Sequence, residues 1–106
     1  MDDVVAVGFV SALGLEQMRD VLSARYPDMC WRMGESHYEG DYLKGRTPEQ
    51  VAVRILHEAS LYCAEIYFPL SDDAKPALPD ADKRAFMQWL EAELLAAIKA
   101  MDIVPS

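Results

Sequence analysis

The stretch TPEQVAVRILHEASLYCAEIYF, residues 47–68, controls which fold this chain adopts, and it fits two kinds of secondary structure. Thr47 can cap a helix, Pro48 suits its first position, and Gln50 can complete a capping box. The apolar residues that follow share one helical face: Val51, Ala52, Ile55, Leu56 and Ala59. We therefore predict a helix over 48–59, followed by a strand over 61–68 that ends at Pro69.

The same stretch also alternates with the two-residue period of a strand. Val51, Val53 and Ile55 would then lie on one face, and the run 62–68 repeats the pattern. Those two runs would form a hairpin that turns near residues 58–60. The turn would contain no Gly, Asn or Pro, so the helix is preferred while the hairpin stays open as the alternative.

The residues before this stretch predict a strand, a helix and two short strands. Residues 4–10 are apolar and rich in β-branched side chains, as in a strand buried on both faces. Ser11 can cap the next segment, in which four apolar residues recur at helical spacing until Pro27 ends the helix: Leu15, Met18, Leu22 and Tyr26. Short strands near 29–36 and 41–46, joined by a turn at 39–41, fit the glycine-rich segment that follows.

The residues after it predict a loop and a last helix. Residues 71–79 form a proline-containing loop, and Asp80 can cap a helix with an apolar stripe of Phe86, Leu90, Leu94, Ala97 and Met101, widened by Trp89 and Ile98. The expected fold is α+β in two layers, with a mostly antiparallel sheet of about four strands covered on one face by two or three helices. The preferred order is a ferredoxin-like βαββαβ plan plus a C-terminal helix, whereas the hairpin alternative gives five strands.

Composition limits the classes of function. With 106 residues, of which 52% are hydrophobic, the chain is expected to form a single globular domain over 1–106. Ten Lys and Arg against 18 Asp and Glu give a net charge of −8, which argues against nucleic acid and anionic membranes as partners. The longest uncharged run, 4–15, is too short to span a bilayer and follows two aspartates, so we expect an unprocessed cytoplasmic protein.

Catalytic groups are scarce. Cys30 with His37, or Cys63 with His57, could form a thiol–imidazole pair, but no local signature supports either. Both cysteines are expected to be reduced, half-buried thiols. We therefore predict no catalytic residue and no cofactor.

Two weaker patterns concern ions. His37, Glu39 and Asp41 alternate and would form a three-ligand metal set on a strand, although the solvent-exposed face of any strand shows the same pattern. We therefore predict no metal site. Three basic residues are close in sequence: Lys44, Arg46 and Arg54. They could bind a small anion, but pairing with neighbouring acids is the preferred interpretation.

The segment 31–46 is typical of a protein-binding surface, because it combines acids, large aromatic residues and glycines. Trp31 is expected in the core, whereas Tyr38 fits a binding role equally well. A second excess of acids lies at 72–82. The predicted partner-binding residues are Glu35, His37, Tyr38, Glu39, Asp41, Tyr42, Asp72 and Asp73.

These observations favour a small acidic protein-binding module, such as an inhibitor or immunity-type partner of a basic protein, for example a nuclease. The alternative is a dimeric small-ligand-binding or regulatory domain without catalysis, since sheets of this kind often pair through an edge or an open face. A weak metal-dependent enzyme ranks third.

Overall fold

Six antiparallel strands form one sheet in the computed structural model, which describes residues 4–38, 40–58, 61–69 and 78–105. The strands are β1 (Val4–Val10), β2 (Arg32–Ser36), β3 (Gly40–Arg46), β4 (Ala52–Glu58), β5 (Leu61–Tyr67) and β6 (Met101–Pro105). Their spatial order is β2-β3-β4-β5-β1-β6. The fold is α+β as predicted, but the sheet is larger than the expected four strands. The ferredoxin-like plan is not confirmed, since β4 lies where that plan needs a helix.

The predicted helix over 48–59 is wrong, because its supposed start is a tight turn between β3 and β4. The backbone N–H of Thr47 donates to the Val51 carbonyl at 2.9 Å, and the N–H of Gln50 donates to the Thr47 carbonyl at 2.9 Å. The Thr47 hydroxyl does accept a backbone hydrogen bond, but from Val51 at 3.1 Å. Pro48 suits the second position of such a turn as well as the first turn of a helix.

Residues 52–58 form a strand and not a helix because β4 has a partner strand on each side. It pairs with β3 from Ala52 to Leu56 and with β5 along its whole length. Val53 and Ile55 are fully buried on the face that packs against the helices. Strand preference depends on such neighbours more than on the residues themselves. The hairpin alternative is therefore correct, although residues 59 and 60 of its turn lie outside the described part of the chain.

The first helix, α1 (Leu15–Arg25), begins after Gly14 rather than at a serine cap. The Gly14 N–H donates to Gln17 Oε1 at 2.9 Å. Ser11 instead donates from its hydroxyl to the carbonyl of Ile98 at 2.7 Å, which ties the β1–α1 loop to the end of the last helix. The helix ends before a 3₁₀ turn at Pro27–Met29, as the proline predicts.

The second helical segment is continuous from α2 (Asp80–Trp89) through a π-helical turn (Leu90–Leu94) to α3 (Leu95–Ala97). Pro79 is its N-cap, so Asp80 is the first helical residue and not the predicted cap. Met101 is not part of the helical stripe, because Lys99 adopts a φ of 57° and the chain turns into β6. None of the helices in the described ranges is long and apolar enough to cross a membrane.

The core lies between the helices and one face of the sheet. Buried residues of β1, β3, β4 and β5 meet Met18 and Leu22 of α1 and the apolar side of the last helical segment, namely Leu90, Leu94, Leu95 and Ile98. Trp31 belongs to this core, as expected. Because side chains alternate along a strand, the other residues of β2 to β5 point to the opposite face, which we call the open face. It carries Arg32, Tyr42, Lys44, Arg46, Arg54, Leu56, Cys63, Glu65 and Tyr67.

Candidate functional site

The outer end of the β2–β3 hairpin concentrates negative charge. Glu35 of β2 lies directly opposite Asp41 of β3, so both carboxylates point to the same face of the sheet, and both residues are exposed. Like charges in directly opposite positions destabilise a strand pair. We call Glu35, His37, Tyr38 and Asp41 the acidic tip, which contains four of the eight predicted partner-binding residues.

The turn of the acidic tip presents an aromatic side chain to solvent. Tyr38 is 99% exposed, and its backbone N–H donates to the Ser36 hydroxyl at 3.3 Å. Since β2 ends at Ser36 and β3 begins at Gly40, His37 lies in the turn and does not share a strand with Asp41. Within the described ranges, no three or more metal-ligating side chains come together. Glu39 lies outside those ranges.

A cleft of about 640 Å³ lies beside the acidic tip, between the start of α1 and residues of the four strands β2 to β5. Its lining includes the carboxylates of Glu16 and Asp41 and the imidazole of His57. His57 stacks on Tyr62, with ring centroids 4.6 Å apart, and the Tyr62 hydroxyl donates to the Leu13 carbonyl at 3.0 Å. The stacked rings and the two exposed carboxylates form a wall that can accept a cationic side chain.

Tyr42 does not join the acidic tip, although it was predicted with it. It follows Asp41 directly, so its side chain points to the open face, where its ring covers Gly34. The Arg54 guanidinium carbon lies 5.7 Å from the centroid of the Tyr42 ring. Asp72 and Asp73 lie outside the described residues.

The open face carries a row of cations that the sequence did not reveal. Arg32 lies opposite Lys44, Lys44 lies opposite Arg54, and Arg54 lies opposite Glu65. Arg46 lies on the same face of β3, two residues beyond Lys44. We call Arg32, Lys44, Arg46 and Arg54 the basic row. The weak signal for it was the sequence proximity of Lys44, Arg46 and Arg54, which were expected to pair with acids.

Only Arg54 of the basic row has a carboxylate partner among the described contacts. Its Nε and Nη2 atoms donate to Glu65 Oε1 at 2.8 and 2.6 Å, and both side chains are 20% exposed. The Tyr67 hydroxyl also donates to Glu65 Oε1, at 3.0 Å. Glu65 and Tyr67 therefore hold Arg54 in place, and the predicted pairing with acids applies to one cation of the row.

The cysteines do not form the thiol–imidazole pairs considered above. Cys63 lies opposite Leu56 on the open face, whereas its neighbour in the ladder, His57, points to the other face. Cys30 precedes β2 and His37 follows it, so the strand separates them. The two cysteines are not joined in a disulfide. Cys30 is exposed and Cys63 is buried, so neither is half-buried as expected.

Comparison with known proteins assigns no family. No family model matches the chain, and no curated protein matches it.

Proposed function

We propose that this chain is a non-catalytic protein-binding module that docks a basic partner on the acidic tip and its cleft. The observation that carries the proposal is that Glu35 lies directly opposite Asp41, next to a tyrosine that is 99% exposed. Cationic groups of a partner would relieve the repulsion between the two carboxylates. An exposed aromatic side chain beside them supplies the kind of anchor that dominates binding energy at protein interfaces.

The charge of the whole chain supports the same partner class. A net charge of −8 attracts a basic protein over long range and speeds its association at low salt. The cleft lined by Glu16, Asp41 and His57 has room for an arginine or lysine of that partner. The module would act by covering the partner's basic surface, as an inhibitor or immunity protein of a nuclease does. We place it in the cytoplasm, because Cys30 and Cys63 are not joined in a disulfide.

The test uses a photo-crosslinking amino acid in place of Tyr38, in lysate of the cells that express the gene, at 50 and 300 mM NaCl. The captured protein is identified by mass spectrometry, and its affinity is then measured with purified components. We expect a basic protein bound one to one, with a Kd that rises steeply with salt.

The matched variants are Glu35→Lys/Asp41→Lys on the acidic tip and Glu91→Lys/Glu93→Lys on the exposed side of the last helical segment, which change the net charge equally. Binding should fall at least tenfold for the first variant and much less for the second. An equal loss in both, or an acidic captured protein, would refute the acidic tip as the docking site.

A second candidate function is that of a homodimeric ligand-binding or regulatory domain, which the edge strand β6 favours. Its outer side pairs with no strand in the described part of the chain. Three of its side chains are apolar and well exposed: Met101 at 55%, Ile103 at 42% and Val104 at 51%. Such an edge can pair with another strand. A second copy of β6, related by a two-fold axis, would supply the matching backbone groups and apolar side chains.

A further inference from the structure

The basic row is an energetic anomaly in a chain with a net charge of −8. Arg32, Lys44 and Arg54 occupy directly opposite positions on three adjacent strands, where like charges repel. Glu65 neutralises one of them. On a solvated surface this arrangement costs stability, and a bound multivalent anion would offset that cost.

The shape of the open face provides room for a ligand at these cations. Two adjoining recesses, of about 360 and 390 Å³, share Lys44 and Arg46 in their linings. Arg32 lines the first recess, and Arg54 with the Tyr67 ring lines the second. Their combined size suits a small molecule better than a protein surface.

Five exposed acids lie away from the basic row, which helps an anion to bind to an acidic protein. Glu16, Asp20, Asp82, Glu91 and Glu93 lie in the helical layer, across the sheet from the basic row. The sheet separates those carboxylates from the basic row, and exposed charges are screened over about 8 Å at physiological ionic strength. Their repulsion therefore reaches a ligand on the open face only weakly.

We propose that the open face is a binding site for a small polyphosphate anion, held by Arg32, Lys44 and Arg46. Arginine and lysine are the side chains that bind phosphate groups most effectively, through charge-assisted hydrogen bonds. Arg54, fixed by Glu65 and Tyr67, forms the inner border of the site. A long nucleic acid would extend beyond four cations into the negative field of the rest of the chain, so the ligand class is a small molecule.

The site lies on neither the acidic tip nor the outer edge of β6. Its test therefore does not depend on the proposed basic partner or on dimer formation. Calorimetric titration at 50 mM NaCl would use tripolyphosphate and ATP as probes, which separates an inorganic polyphosphate from the polyphosphate tail of a nucleotide. We expect saturable binding with one site per chain for at least one of the two.

The matched variants are Lys44→Gln/Arg46→Gln in the basic row and Arg19→Gln/Arg84→Gln in the helical layer, which lower the positive charge equally. The first pair should weaken binding at least tenfold, since it removes two charged hydrogen-bond donors from the site, and the second should change it less than twofold. The charge-preserving variant Lys44→Arg should keep binding.

Three results would overturn the proposal: no binding of either probe, equal weakening in both pairs of variants, or tighter binding of oligo-dT or polyglutamate at the same residues. The last result would assign the basic row to a macromolecular partner. Circular dichroism of each variant confirms that it is folded, and Lys44→Arg separates loss of charge from loss of structure.

Discussion

Arg32 and Lys44 lie directly opposite each other on β2 and β3, at the inner end of the same hairpin whose outer end pairs Glu35 with Asp41. The two pairs point to opposite faces of the sheet. One hairpin thus carries a like-charged pair of each sign, and both pairs destabilise it in the absence of a ligand. This charge separation is the basis of both proposals, a basic partner on the acidic tip and an anion on the open face.

Lys44→Gln should stabilise the free protein, because it removes the central cation of the basic row. We expect the free energy of unfolding to rise by about 0.2–1 kcal/mol in 20 mM NaCl, with a smaller gain in 500 mM NaCl. Urea denaturation at both salt concentrations measures it. The control Lys99→Gln changes the same charge outside the row, and a gain of equal size in that variant would contradict the prediction.

Glu65→Gln should destabilise the protein, because Arg54 then faces Lys44 without its neutralising partner. A loss of about 1 kcal/mol is expected for a partly buried ion pair with this geometry. The loss should shrink in the Lys44→Gln background, since neighbouring charges are not additive. Urea denaturation of the single and double variants tests this. If the two changes in unfolding free energy are strictly additive, Glu65 does not offset the repulsion within the basic row.

Val53→Ala distinguishes the hairpin from the predicted helix. Val53 is fully buried in β4, whereas it lies off the apolar face of a helix over 48–59. The hairpin predicts a loss of about 1–3 kcal/mol, because the deleted methyl groups leave a cavity. A helix would lose little, since alanine is the better helix former. Thermal and urea unfolding measure the loss, with Val21→Ala, 36% exposed in α1, as the control.

Gly45→Ala should cost more stability than Gly34→Ala, although each glycine lies under an aromatic ring. A methyl group on Gly45 would come within 2.7 Å of the Trp31 ring. That ring is 9% exposed and held by a hydrogen bond from its Nε1 to the Tyr26 carbonyl, which restricts its movement.

Tyr42, over Gly34, is only half-buried and can shift toward solvent. We expect a loss of about 1–3 kcal/mol for Gly45→Ala and less for Gly34→Ala, measured by thermal unfolding. The reverse order would mean that Trp31 is the more mobile ring.

Ile103→Lys tests the dimer through β6. Because a charge on an edge strand opposes pairing with a second copy, the wild-type protein should form dimers at high micromolar concentration and the variant should stay monomeric. Sedimentation velocity over a concentration series measures this. Val21→Lys is the control, and a wild-type protein that is monomeric throughout would exclude this dimer.

Much of the fold could be predicted from local patterns. The apolar run of β1, the helical spacing from Leu15 to Leu22 and the stop at Pro27 each depend on residues that are close in sequence. The β2–β3 hairpin followed in the same way, and it placed Glu35 and Asp41 in one candidate site. The sequence could also have predicted that the side chains of Tyr42 and Asp41 point apart, because adjacent strand residues point to opposite faces.

Tertiary structure decided the rest, because it depends on contacts between distant segments. Residues 52–58 fit a helix by their own spacing, and they are a strand because β3 and β5 supply hydrogen bonds on both sides. The basic row combines side chains from β2, β3 and β4, and only the register of three strands brings Arg32, Lys44 and Arg54 together. The sequence therefore placed the residues of the acidic tip in one hairpin, whereas strand pairing across the sheet brought the basic row together on the open face.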